Sequence, residues 1–383
     1  MNNMMMWITL ACDALLVFAC AVTPFVTRKT ELFGVSLPSS EIGRRELSVL
    51  RRAYLRVTLL AGAALLVLNF ALFLVFSSEM TQVRIYLVLI FVYIAAEFLI
   101  YLVFHKTMVA FKAAQPWRAQ GAAAGSAGEE GAEPVLVVDT EPPAREVVHP
   151  AWLWLYAAIG GGTLLYLWYI WPALPDRIPT NMDTSGVIVD FIDKGPGAFF
   201  TMMIAQWIII AAFVLVYIMI PVSKRQIDAA RPRESREQGR RFRYMMSACM
   251  VFGGAALAAM VGILPVAMAQ SDGGLAFAIA PLVLTMAVVV VMLFVMFRTG
   301  QGGSKLKVGT EQHAPHKRME NTDDDRYWKL GVIYFNPNDP ALFVEKRFGI
   351  GWTWNMGRPA GWLLLAAIVA VVVISLAAAF SAA

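Results

Sequence analysis

"VTLLAGAALLVLNFALFLVFS" (residues 57–77) runs for 21 residues without one Asp, Glu, Lys or Arg. At about 1.5 Å per residue, a helix of this length covers the ~30 Å hydrocarbon layer of a bilayer. Apolar runs of similar length lie at about 4–25, 83–104, 151–171, 199–221, 244–268, 275–297 and 361–382. The 383 residues are 58% hydrophobic and 15% charged, where soluble domains carry about 25% charged residues. Lipid offers no partner to a backbone N–H or C=O, so each run is expected to be helical. The expected fold class is an all-α integral membrane protein of about eight transmembrane helices, with a small cytoplasmic β-hairpin-like segment before the last.

The distribution of charge sets the expected orientation. Connection 26–56 carries Arg28, Lys29, Arg44, Arg45, Arg51, Arg52 and Arg56. Connection 222–243 carries Lys224, Arg225, Arg231, Arg233, Arg236, Arg240, Arg241 and Arg243. Residues 105–150 and the stretch before the last run are also basic near the apolar runs. The intervening connections are short, or acidic as in 172–198. The positive-inside rule then puts the basic connections in the cytoplasm and both termini outside a cell membrane. The net charge of +5 is explained by topology, and the absence of an aromatic-interleaved basic patch argues against nucleic acid.

Six units follow: a three-helix segment with a basic inner loop (1–104), a flexible cytoplasmic linker (105–150), and a helix pair (151–221) enclosing a Pro-rich outer loop (172–198). Then come a basic loop and helix pair (222–298), a tether with a small aromatic-rich domain (299–360), and the final helix (361–383). Small residues in "AQGAAAGSAGEEGAEP" (119–134) and the polar "GTEQHAPHKRMENTDDD" (309–325) suit linkers. "GGG" at 160–162 and "GG" at 253–254 suit close helix approach. "GQGGSK" (300–305) lacks Walker spacing and reads as a helix stop. Cys12, Cys20 and Cys249 lie in apolar runs, so no disulfide framework is implied.

Three constellations stand out. Asp13, Asn69 and Glu97 fall near the middle of the first three runs, where a charge costs roughly 2.5–3.5 kcal/mol. No Lys or Arg reaches that depth, so neutral carboxyls hydrogen-bonded to Asn69 are expected, either as helix glue or as a proton site. In the outer loop, "WPALPDRIPTNMDTSGVIVDFIDKG" (171–195), prolines fix φ and remove donors, which predicts an ordered, non-helical crossing of the membrane surface. Asp183, Asp190 and Asp193 do not have the spacing of a calcium loop. The third is "YWKLGVIYFNPNDPALFVEKRFGIGWTWNMGRP" (327–359). Its "GVIYF" is a β-prone run, "NPNDP" a turn, and "ALFVEKRFG" a strand that could pair back, with "GWTWNM" as a third. A hairpin this small needs a surface to pack on. Tyr327, Trp328, Asn336, Asp339, Lys346, Arg347, Trp352 and Arg358 are the residues expected to dock onto headgroups or a partner.

Two of these stretches resemble known families. "LPDRIPTNMDTSG" (174–186) resembles the "LP..IPTHW...G" signature of bacterial membrane proteins that include the SdpI-type immunity proteins. Leu174, Pro175, Ile178, Pro179, Thr180 and Gly186 match, and Asp190 fits more loosely. Asn181 stands where members usually carry His, and Met182 where they carry an aromatic. The 327–359 stretch is similar to a domain of unknown function found in proteins with the same signature, and "ELFGVSLP" (31–38) resembles the corresponding inner loop of these proteins. The resemblance implies protection from a secreted toxin coupled to signalling.

No nucleophile sits with a base, no residues have metal-ligand spacing, and no cofactor motif is present. The chain is therefore read as a non-enzymatic sensing or immunity protein. Its expected partners are the lipid bilayer, an extracellular peptide or toxin and a cytoplasmic regulator. A proton-coupled transporter using Asp13, Asn69 and Glu97, or a membrane scaffold, are the alternatives.

Overall fold

Apolar run becomes helix throughout, and several helices continue past the apolar stretch. The structure, a computed structural model, describes residues 2–38, 41–115, 145–182, 187–227, 231–270, 275–308 and 325–381. Most of the expected linker, the loop tip with Asp183 and Gly186, and the tether with His313 and His316 lie outside the described residues. The helices are α1 (Asn2–Val26), α2 (Arg45–Val75), α3 (Glu79–Ala113), α4 (Trp154–Ile170), α5 (Pro196–Val222), α6 (Pro232–Ala248), α7 (Gly254–Ala269), α8 (Leu275–Thr299) and α9 (Pro359–Ser381). A π-helical turn, Cys249–Gly253, joins α6 to α7 into one rod.

Among the described residues, seven helices are long and apolar enough to cross a membrane, which is compatible with a multi-pass membrane protein. They are α1 to α5, the α6–α7 rod and α8. The eighth expected span coincides with α9, whose side chains at 371–372 and from 374 onward lie outside the described residues. Half of the expected basic loop 222–243 is instead the helix α6. The reason is local: Glu237 pairs with Arg240 and Arg241, and Gln238 donates to Glu234 at 3.1 Å. Such i,i+3 and i,i+4 pairs stabilise a polar helix by a few tenths of a kcal/mol each.

The helices pack as two groups. α1, α2 and α3 bury Val17, Leu65 and Tyr93 between them. α4, α5 and α7 bury Tyr156, Ile210, Ala255 and Ala258, with Leu167, Met202 and Val266 further along. Gly160 and Gly254 sit at close helix contacts, whereas Gly161 and Gly162 face open space. The groups meet at α1 and α8, where Cys12 lies 4.0 Å from Met286.

Among the described residues there are also four small antiparallel hairpins: β1 (Glu31–Leu32) with β2 (Val35–Ser36), β3 (Arg177–Met182) with β4 (Ile188–Asp193), β5 (Trp328–Lys329) with β6 (Ile333–Tyr334), and β7 (Phe343–Glu345) with β8 (Trp352–Trp354). The Pro-rich outer loop is thus ordered and non-helical, as its prolines predict. In 327–359 the expected pairing of "GVIYF" with "ALFVEKRFG" does not form. Leu330 and Gly331, at φ 52° and 71°, reverse the chain straight after Lys329 and return Ile333 and Tyr334 onto Trp328 and Lys329. "NPNDP" then connects the two hairpins through side-chain turns. Asn336 Oδ1 accepts from the Asn338 N–H at 3.0 Å, and Asp339 Oδ1 from Ala341 at 2.9 Å.

Candidate functional site

The 325–358 module sits across one end of both helix groups, and ion pairs hold it there. That end carries the basic connections, while hairpin β3–β4 lies at the other end of α5. Glu345 on β7 is 2% exposed and accepts from Arg28, which follows α1, and from Arg243 of α6 at 3.4 Å. Arg243, 2% exposed, also donates to the Ile220 and Ser223 carbonyls, each at 3.2 Å. These are orphan acceptors at the end of α5, and a cation there complements the helix dipole. Arg347, 1% exposed, pairs with Asp325. Asp325 in turn takes Lys112 of α3 at 2.7 Å and the Ser36 hydroxyl at 2.9 Å. One module thus holds residues from β2, α3, α6 and the stretch after α1.

Backbone contact is equally close. The turns Phe33–Gly34 and Leu330–Gly331, all at positive φ, meet tip to tip. A Cβ at Gly34 would overlap the Gly331 backbone, so neither position has room for a side chain. The Tyr101 hydroxyl lies 2.8 Å from the Leu330 carbonyl, and His105 Nδ1 lies 2.8 Å from the Phe33 carbonyl. Phe348 packs on Tyr101, Phe33 and Tyr54 with ring centroids 4.6–6.1 Å apart. On the second group, Gln301 and Gly351 exchange two hydrogen bonds, and Trp352 packs on Phe242. Lys224, just past α5, donates its backbone N–H to Phe343 at 2.8 Å, and its Nζ lies 2.6 Å from Asp339 Oδ2.

Inside the module, Asn355 is fully buried. Its amide donates to the carbonyls of Asn336, Asp339 and Ala341, while its Oδ1 accepts from the N–H groups of Asn336 and Gly357. Asp339 also accepts from the Tyr334 hydroxyl at 2.7 Å. Burial alone would raise the Asp339 pKa, but the hydrogen bonds from Lys224, Ala341 and Tyr334 outweigh it and hold it below the usual carboxylate value. Glu31 on β1 goes the other way: burial pushes it up to about 7 despite Arg28 and Arg347 nearby, with Glu345 and Asp325 adding to the rise.

The residues expected to dock outward therefore divide. Trp328, Asn336, Asp339 and Arg347 are buried within the protein, and Asn336, Asp339 and Arg347 bond intramolecularly. Tyr327, Trp352 and Arg358 are half-buried, and Lys346 is exposed. Nothing in the sequence pattern points to Glu345, Asp325, Glu31 or Arg243 as partners. Lone charges in loops carry no periodic signal, and their partners lie up to 317 residues away.

The mid-helix polar residues separate into two sites. Asn69 donates to Asp13 at 2.6 Å, and Tyr86 donates to the same carboxyl at 3.2 Å. Glu97 does not join them; it accepts from Thr58 at 3.1 Å. Thr58 and Asn69 are eleven residues apart on α2, about 16 Å along its axis, so the three expected residues form two pairs. At the far end, Leu174 and Ile178 are buried against Met202 and Val266. Pro175 precedes β3, Pro179 faces Phe191, Thr180 lies in the strand, and Asp190 is paired with Asn181 in the register. Among the described residues, no group of three His, Cys, Asp or Glu could hold a metal.

Fold and geometry together define a helical protein of membrane-spanning dimensions carrying a small module latched across one end. Residues 337–362, from the "NPNDP" turn to the start of α9, match a family of unknown function (DUF5808). Neither the curated proteins nor the solved structures give a match.

Proposed function

We propose that the chain is a non-enzymatic, multi-pass protein of the cell membrane that senses, or confers immunity to, an extracellular peptide, as the SdpI-type resemblance implies. The observation that supports this reading is the path of α5. It begins three residues after β4 and ends at Val222, two residues before Lys224, whose backbone and side chain bond β7 and Asp339. A ligand that tilts or shifts hairpin β3–β4 would act on the module through one continuous helix. In this reading the positive-inside orientation puts the hairpin outside and the module in the cytoplasm. There Lys346 and the exposed Leu330, Ile333 and Phe335 offer a face for a cytoplasmic regulator.

The experiment is a deletion strain challenged with secreted antimicrobial peptides and complemented with variants. Greater sensitivity on deletion, with resistance restored by the wild type but not by Ile178→Asp or Pro179→Ala, supports the reading. Unchanged sensitivity on deletion overturns it. Complementation lost with Asp13→Asn and Glu97→Gln but kept by the hairpin variants would favour the transport alternative.

A further inference from the structure

Away from the module, the start of the α6–α7 rod borders a cleft of about 410 Å³ lined by Arg145, Arg240, Arg241, Tyr244, Met245 and Leu306. Arg145, Arg240 and Arg241 all line it, and among the described residues Glu237 is the carboxylate that pairs with Arg240 and Arg241. Glu237 accepts Arg240 through two hydrogen bonds of 2.6 Å and Arg241 through one of 2.7 Å. Arg240 also reaches the Arg145 carbonyl at 3.4 Å, which holds the two arginines side by side. Among the described residues no carboxylate pairs with the Arg145 guanidinium, and the two terminal nitrogens of Arg241 have no partner. Among the described residues Glu146 also acts on Arg240 but pairs with Arg225 and Arg243, so Arg145 and Arg241, both exposed, keep free donors facing the cleft.

We propose that this cleft is a binding site for a phosphate oxyanion, presented by an anionic phospholipid headgroup or by the free ion. The planar forks of Arg145 and Arg241 suit two-point recognition of phosphate oxygens. Arg240, already ordered by Glu237, supplies field without needing rearrangement. Tyr244, one helical turn along from Arg240 and Arg241, is 45% exposed. It presents a ring and hydroxyl at the level where the rod turns from charged to apolar, the position that aromatic residues favour at a membrane surface. Met245 and Leu306 give the cleft an apolar wall against which the glycerol end of a lipid could lie. The cleft lies at the same end as the 325–358 module but uses none of its ion pairs.

The test is thermal unfolding of the full-length protein in a neutral detergent. Phosphatidylglycerol, phosphatidylcholine or inorganic phosphate is added at graded concentration. The expected result is a saturable rise in Tm with phosphatidylglycerol and none of comparable size with phosphatidylcholine. The apparent affinity should fall at least fivefold in Arg145→Gln and Arg241→Gln, and not in Arg231→Gln, which pairs with Glu234 outside the cleft. Arg241→Lys, which keeps the charge but loses the fork, should fall between. An Arg-dependent response to inorganic phosphate alone assigns the site to the free ion; a response to phosphatidylglycerol alone assigns it to the headgroup. A response equal in both lipids, or one that survives both Gln substitutions, overturns the proposal. The unliganded Tm of each variant separates lost binding from lost folding.

Discussion

At the scale of single residues, the module depends on buried polar side chains. Taking an ion pair out of solvent costs several kcal/mol per ion, so such a pair adds little net stability, yet removing one partner costs roughly 3–5 kcal/mol. Glu345→Gln leaves Arg28 and Arg243 facing a neutral amide and is expected to lower stability by about 3 kcal/mol, read by thermal unfolding in detergent. Two carboxyls then set the pH range of docking. The folded Glu31 pKa, about 7, lies above its ordinary 4.5, so its contribution is full below pH 4.5 and is lost as pH rises through 7. Glu31→Gln should therefore be more stable than wild type at pH 8, by at most about 3 kcal/mol, with the difference vanishing by pH 5. If the two proteins lose stability in parallel between pH 5 and 8, Glu31 is not the titrating group. Asp339 has the opposite sign: its pKa is depressed, so its contribution is present above about pH 4 and lost below. Composition located the polar residues in the helices, because Asp13, Asn69 and Glu97 stand alone among apolar neighbours. It could not tell that Glu97 pairs with Thr58, since a threonine in an apolar helix leaves no mark in the sequence.

At the scale of elements, the apolar runs were legible because a period-free stretch of about 20 apolar residues has few other solutions. Their ends were not. α2 starts twelve residues before the apolar run, and α6 exists through charge pairs that a hydropathy reading takes for a loop. The strand pairing in 327–359 was misread because a leucine at positive φ, here Leu330, is an unusual way to begin a turn. That turn makes a direct prediction. Gly34→Ala places a methyl group against Gly331 in a backbone conformation that disfavours side chains, so the two turns must separate. Limited proteolysis should then cut within 325–358 much faster than in wild type, while the α4–α7 region stays protected; equal cutting rates would mean that the turn contact is dispensable. Asp339→Asn is a milder case. A hydrogen bond to a charged group is worth about 1.5–3 kcal/mol, discounted here because the Lys224 side chain is half-exposed. Faster amide exchange at Phe343–Glu345 is the expected readout.

At the scale of the whole molecule, two helix groups meet within the bundle at α1 and α8, and the module spans them at the basic end. It bonds Arg28, Tyr101 and Lys112 on one side and Lys224, Arg243 and Gln301 on the other. In the double variant Glu345→Gln with Arg347→Ala, spin labels at Val49 and Arg233, both exposed, should report a broader distance distribution than in wild type. An unchanged distribution would show that the α1–α8 contact alone fixes the two groups. Chain order adds a consequence. Gly331 and Glu345 emerge from the ribosome about 300 residues after Gly34 and Arg28, behind every one of the seven long helices. Until they arrive, Arg28 and Arg243 have no Glu345 to answer them. The newly made bundle therefore passes through a stage in which Arg28 and Arg243 hold only their carbonyl and Glu146 contacts, and the arrival of the module ends that stage.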